Sequence, residues 1–220
     1  MPTKPSMPKS KTATAKTTSK KPAKKLDLYA KHKNEYVAGK LPAMVRVGPA
    51  RYLAITGKGM PGGPEFSRAV GALYNVAFAI KMARKFAGQD YTVTKLEGLW
   101  WREDGKEADG SMEGWSWQLL IRVPTFINAR EVRSIIASLI EKGTDDAVRR
   151  VELVDLREGE CVQILHTGPY TEERDSIEKM RNFAAQLKRK FTGRHHEIYL
   201  SDPRRVKPEK LRTILRQPVG

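Results

Sequence analysis

The sequence predicts an α+β domain in which one strand–helix–strand–strand module is used twice about a pseudo-twofold axis, with a ligand groove between the copies. Two observations carry this reading. A strand that ends in Thr-Gly and leads into a helix occurs at Thr56-Gly57 and again at Thr167-Gly168. The helices that follow both finish in Lys-Phe, at Lys85-Phe86 and Lys190-Phe191. Gly57 is therefore expected to superpose on Gly168, and Phe86 on Phe191.

Module one covers about residues 45–125. "RYLAITG" reads as a strand, and the Gly/Pro-rich "KGMPGG" as a loop. Pro64 suits the first turn of a helix, where its missing N–H is no loss. Phe66, Val70, Leu73, Ala77 and Ile80 then recur at helical spacing. "YTVTKLEGLWW" and "WSWQLLIRV" read as two strands joined through polar and glycine residues between Glu103 and Gly114. A linking helix is expected over 128–143, "NAREVRSIIASLIEKG". Module two, about 150–217, repeats the pattern with "ECVQILHTG", a helix striped by Ile177, Met180, Ala184, Leu187 and Phe191, then "HHEIYLSD" and "LRTILRQPV". Thr171 is placed to cap that second helix. Ahead of both modules, 25–39 predicts a short amphipathic helix with Leu28, Tyr29, His32 and Tyr36 near one face, and "KLPAMVRVGP" is punctuation with some strand character.

Composition bounds the function. The chain has 220 residues, 40% of them apolar, enough for one sizeable domain. No apolar run approaches the roughly 20 residues a membrane span needs, and no secretory signal is visible. The single cysteine, Cys161, fits a reducing cytoplasm and reads as a packing residue. Of the formal charge of +16, half comes from residues 1–25, which carry eight Lys and no acid. Such a tail cannot bury enough apolar surface to order itself. It is expected to be a disordered solubilising arm, or to make weak, salt-sensitive, non-specific contact with nucleic acid.

All four tryptophans, Trp100, Trp101, Trp115 and Trp117, fall within one hairpin. Alternation puts Trp115, Trp117, Leu119, Ile121 and Val123 on one strand face. Trp100 and Trp101 must point opposite ways, so at least one joins that face across the hairpin. A core would more often use Leu or Val, and each indole N–H needs a partner. Glu97 shares a strand face with Leu99 and Trp101, and a carboxylate beside indoles suits a planar or cationic ligand. Glu197 and Tyr199, two apart in "EIY", form a second carboxylate–aromatic pair, and Tyr170 lies at the mouth of the second helix. Glu65 and Glu173 are weaker candidates, because a place in a helix first turn accounts for each.

The phrases "GPEFSRAVGALYNVAFAIK", "LEGLWW", "QILHTGPYTEE" and "HEIYLSDPRRVKPEKLRTILR" resemble stand-alone GyrI-like small-molecule-binding proteins over roughly residues 25–220. The resemblance implies the duplicated module already read from the repeat. It also implies aromatic, often cationic, xenobiotic ligands held between the modules near a central glutamate, for which Glu197 is the match. A Trp-rich subset that this chain is similar to, the cyclopropanoid cyclopropyl hydrolases, detoxifies cyclopropane-bearing DNA alkylators through an aromatic cage. That implies a cage of Trp100, Trp117, Tyr170 and Tyr199, flanked by Trp101 and Trp115. Glu197 would orient or deprotonate water, and Tyr170 or Tyr199 would steady the developing phenolate. The Lys-rich tail lies outside the family pattern.

No phosphate-binding loop, Ser nucleophile elbow or helix-turn-helix module is visible, and no cofactor is expected. His195 and His196 are adjacent in a strand and point to opposite faces, which argues against a metal site. Three functional classes stay open: an enzyme opening an activated cyclopropane with water, a non-catalytic binder or sequestering protein, and a nucleic-acid-associated protein acting through its tail.

Overall fold

The structure, a computed structural model, describes residues 25–103 and 114–220. Eight antiparallel strands form one sheet in the order β1-β6-β8-β7-β3-β4-β2-β5. The strands are β1 (Ala43–Val47), β2 (Ala50–Lys58), β3 (Leu96–Arg102), β4 (Trp115–Val123), β5 (Glu152–Leu156), β6 (Gly159–Thr167), β7 (His195–Tyr199) and β8 (Arg212–Pro218). The helices are α1 (Leu28–Lys31), α2 (Pro64–Phe86), α3 (Ala129–Glu141) and α4 (Arg174–Gln186). Among the described residues no helix is long and apolar enough to cross a membrane.

The strand order is its own mirror about the β7–β3 junction, as duplication demands. Each module's short leading strand has crossed to the other module. β1 pairs with β6, and β5 pairs with β2. The "punctuation" before module one is thus an exchanged edge strand, and its counterpart "ELVDL" was not foreseen. Neither has a partner nearby in sequence, so local pattern could not announce them.

The two modules' equivalences differ from the expected ones. β2 and β6 are nine residues each and take the same kind of edge partner, which aligns Ala50 with Gly159 and Lys58 with Thr167. Gly59 (φ 105°), not Gly57, is therefore the counterpart of Gly168 (φ 141°). Gly57 lies inside β2 for another reason: a Cβ there would sit 2.2 Å from the Trp117 ring. Phe86 closes α2, but Phe191 lies beyond α4, in an isolated bridge to Val219. The helices differ by about three turns, so matched Lys-Phe endings do not mark matched positions.

The α2 stripe packs where the pattern put it, and the α4 stripe does so only as far as Ala184. Ala69, Leu73, Val76, Ala77 and Ile80 of α2 bury against Leu53, Ile55, Leu119 and Ile121, and α3 covers the flank with Val132 and Ile136. Met180 and Ala184 of α4 bury against Val162, Ile164 and Leu215, while Leu187 stays exposed. Thr171 does not cap α4. It lies in a 3-10 turn, Tyr170–Glu172, and Glu173 occupies the N-cap position without a side-chain cap bond. The 25–39 helix shrinks to the four residues of α1, capped by Asp27, followed by a 3-10 turn, Lys33–Glu35. A physical reason is visible: Arg216 donates to the Glu35 carbonyl, which a continuing helix would have used internally. β3 starts at Leu96, later than expected. It pairs with β4 as a hairpin whose tip, 104–113, lies outside the described residues.

Candidate functional site

The two modules meet where β3 runs antiparallel to β7, with Gly98 opposite Glu197. Strand alternation then assigns the faces. Gly98 and Trp100 share the helix-covered face with His195, Glu197 and Tyr199. Glu97, Leu99 and Trp101 share the opposite face with His196 and Ile198.

On the helix face an aromatic layer leads to a carboxyl pair. Trp100 donates its indole N–H to the Tyr199 hydroxyl at 3.1 Å. Tyr199 shares the strand face of Glu197, whose carboxyl comes together with that of Glu173 from the start of α4. Gly98 is what allows this: a Cβ there would lie 3.0 Å from both Trp100 Nε1 and the Tyr199 hydroxyl. Phe66, from the first turn of α2, stacks on Trp100 at 5.8 Å and meets Trp117 edge-on at 5.4 Å. Trp115 packs edge-on against Trp100 at 6.4 Å, and Tyr170 edge-on against Tyr199 at 5.8 Å.

The carboxyl pair is short of donors. Burial pushes the Glu197 carboxyl up to about 7, against the pull of Tyr199 and His196. Burial, reinforced by the Glu197 charge, pushes Glu173 well above the usual carboxylate range. Glu173 Oε1 is buried with no hydrogen-bond partner. His195 Nε2 lies 3.8 Å from Glu197 Oε1 and is likewise buried without a partner. Burial lowers His195 to about 4, so its ring is neutral at pH 7. Tyr170 is raised to about 12, mainly by burial, and keeps its proton. Glu173, His195 and Glu197 together offer three ligand-type atoms within 4.8 Å of one another.

On the opposite face the charged groups form a chain of ion pairs, although Glu97 Oε2 and His196 Nε2 make no directed hydrogen bond. His196 lies 2.9 Å from Glu158 and 3.1 Å from Glu97. Tyr36 donates to Glu97 at 2.9 Å, Arg122 to Glu35 at 2.6 Å, and Arg216 to Glu158 at 3.0 Å. Burial works against the imidazolium, but Glu158 and Glu97 outweigh it and raise His196 to about 9. Burial likewise opposes ionised Glu158, yet His196 and Arg216 hold it down to about 2. The segment 26–38 seals this network from outside through Tyr29, Glu35 and Tyr36.

The predicted site residues thus divide. Trp100, Tyr170, Glu197 and Tyr199 come together. Trp117 lies behind them, fully buried, its ring over Gly57, as part of the α2 core. Trp115 flanks the layer. Trp101 is on the other face, where its N–H donates to Glu103 and Arg194 stacks on its ring at 3.6 Å. Glu97 also faces away, a fully buried member of the paired network and not a neighbour of the cage. Glu173, Phe66, Gly98 and His195 join the site. Glu173 had been discounted because a helix first turn explained it. Its closeness to Tyr170 in "YTEE" was the one available signal. Glu65 is a surface partner of Arg150. A cavity of about 550 Å³ lies elsewhere, against β6 and the start of α4, among Lys40, His166, Asp175 and Lys179.

Comparison with known proteins agrees with this architecture. No curated protein matches the chain. An uncharacterized conserved protein from Listeria innocua is 37% identical, with a TM-score of 0.84 over 89% of this chain and 100% of that one. A hydrolase from Listeria innocua is 35% identical, with a TM-score of 0.82 over 90% and 100%. The C-terminal domain of EcmrR, at 12% identity and a TM-score of 0.54 over 81% and 96%, shares the fold alone. Residues 42–219 match the GyrI-like small molecule binding domain, and the chain belongs to that family.

Proposed function

We propose that the protein binds flat, electrophilic aromatic compounds against the Trp100–Tyr199 layer and hydrolyses those that carry a cyclopropane conjugated to a dienone. One observation carries this: a carboxyl pair, buried Glu173 and half-buried Glu197, brought together at the module junction beside hydrogen-bonded Trp100 and Tyr199. The likeness to a Listeria innocua hydrolase at 35% identity supports it.

The roles follow from the bonding. Burial raises both carboxyls, and Glu197, on the strand face of Trp100 and Tyr199, is assigned as the base. Water attacks the ring CH2 while Glu197 takes its proton. The cyclopropane C–C bond breaks, and its electron pair moves through the dienone onto oxygen, making a phenolate that is then protonated. The net change is addition of one water. Tyr199 accepts the Trp100 N–H, and Tyr170 beside it, more exposed and neutral, is assigned to donate to the forming phenolate. The aromatic layer positions the flat ligand and excludes bulk solvent.

The test is incubation with a cyclopropyl-dienone alkylator and mass spectrometry for ligand plus water. Glu197→Gln is expected to slow turnover by about 10²–10⁴-fold with binding retained. Turnover nearly unchanged in that variant overturns the assignment of the base. Wild-type protein that binds such compounds and never converts them is a sequestering binder.

A further inference from the structure

We propose that Glu173, His195 and Glu197 form a site for one divalent transition-metal ion of the zinc class. The adjacent histidines do face opposite sides of the sheet, which rules out a site using both, but a site using His195 alone is assembled by the fold. Among the described residues this is the place where three ligand-type side chains converge, their atoms within 4.8 Å of one another. Zinc sites hold nitrogen and carboxylate ligands at about 2.0–2.2 Å, which places ligand atoms roughly 3.5 Å apart in a tetrahedron. Small side-chain rotations of Glu173 and Glu197 close that gap.

The independent observation is a pair of buried ligand-type atoms without a hydrogen-bond partner, both turned to the same place. Glu173 is only 7% exposed, and its Oε1 has no hydrogen-bond partner. His195 Nε2 is buried and unpartnered, and it faces Glu197 Oε1 at 3.8 Å. A neutral imidazole offers one ring nitrogen as a lone pair, the form in which histidine binds metal. A divalent ion taking the place of the proton that the carboxyl pair holds would neutralise both carboxylates. On the opposite face His196 itself lies between two carboxylates.

The test uses the full, untagged, metal-stripped chain titrated with Co2+ as a spectroscopic probe, then with Zn2+ by calorimetry. One ion per chain is expected, with the visible absorption of a low-coordinate Co2+ centre. His195→Ala should weaken binding by about 100-fold. Should His195→Ala fail to fold by near-UV dichroism, Glu173→Gln reads the same loss. Absence of one-to-one binding, or binding that His195→Ala leaves unchanged in a folded protein, overturns the proposal. The claim stands apart from hydrolysis, which is assayed on the metal-free protein. Turnover without metal affinity sinks only this site, and metal affinity without turnover sinks only the hydrolase reading.

Discussion

The two faces of the sheet at the module junction carry nearly the same side chains and treat them oppositely. Beneath α1, two carboxylates flank His196, Arg216 and Tyr36 supply donors, and the segment 26–38 closes over the group. Beneath α2 and α4, two carboxyls meet a histidine that burial keeps neutral at pH 7. The first arrangement satisfies buried charge and stabilises a fixed geometry. The second leaves buried charge unsatisfied, which is the condition for binding a ligand, proton or cation. Burial alone therefore does not mark a functional residue. What sets the two faces apart is that one places a cationic histidine and arginine between its carboxylates, whereas the other brings two carboxyls together beside a neutral histidine.

The largest effect should come from breaking the satisfied face. Arg216→Ala leaves Glu158 beside an imidazolium but strips its guanidinium and orphans the Glu35 carbonyl. A loss of about 3–5 kcal/mol is expected in denaturant titration. A loss below 1 kcal/mol would show that the network is not the support described.

A comparably large effect separates the tryptophans. Trp117→Ala should cost about 3–5 kcal/mol of stability, because its ring fills the space over Gly57 within the α2 core. Trp100→Ala should cost less stability and more aromatic-ligand affinity, about 1–3 kcal/mol. The reverse ranking in paired unfolding and binding measurements would put Trp117, not Trp100, against the ligand.

The pH profile sharpens the contrast further. Glu197 has its folded pKa raised from 4.5 to about 7. Its contribution is thus fully present below about pH 4.5 and lost as pH rises through about 7. Glu158 is lowered to about 2, so its contribution holds above pH 4.5 and fails only as pH falls through about 2. His196 is raised from 6.5 to about 9, so its contribution holds below 6.5 and is lost as pH rises through about 9. Between pH 5 and 6.5 any fall in stability with rising pH therefore comes from the raised Glu173 and Glu197 carboxyls, and it is opposed by His195, whose lowered value adds stability as pH rises from about 4 to 6.5. Glu197→Gln should flatten that slope and raise stability at pH 8 by about 2 kcal/mol. A profile that Glu197→Gln leaves unchanged would mean the pair carries no excess proton.

The smallest effect on either face should come from removing residues 1–25. Stability and ligand binding should not change, while any DNA association should weaken and fall steeply with salt. DNA affinity that survives the deletion would assign the contact to the positive charge of the folded part.

Much of this was legible in the chain, for local reasons. Strand alternation depends on backbone geometry alone, so it correctly put Trp100 and Trp101 on opposite faces and grouped Glu197 with Tyr199. Helical spacing found the buried stripes of α2 and α4. The repeat revealed the duplication even though Gly57 and Phe86 were matched to the wrong partners, because a strand–helix–strand–strand rhythm survives a change in helix length. What sequence could not reach was non-local. The exchange of β1 and β5 depends on which edge each strand finds after collapse. Glu97 and Glu197 read alike as strand carboxylates beside aromatic residues. Only the tertiary structure surrounds one with Tyr36, His196 and a buried arginine network, and sets the other against a second carboxyl and a neutral imidazole. The cost of a buried charge is decided by the partners within a few ångströms, and those arrive from distant parts of the chain.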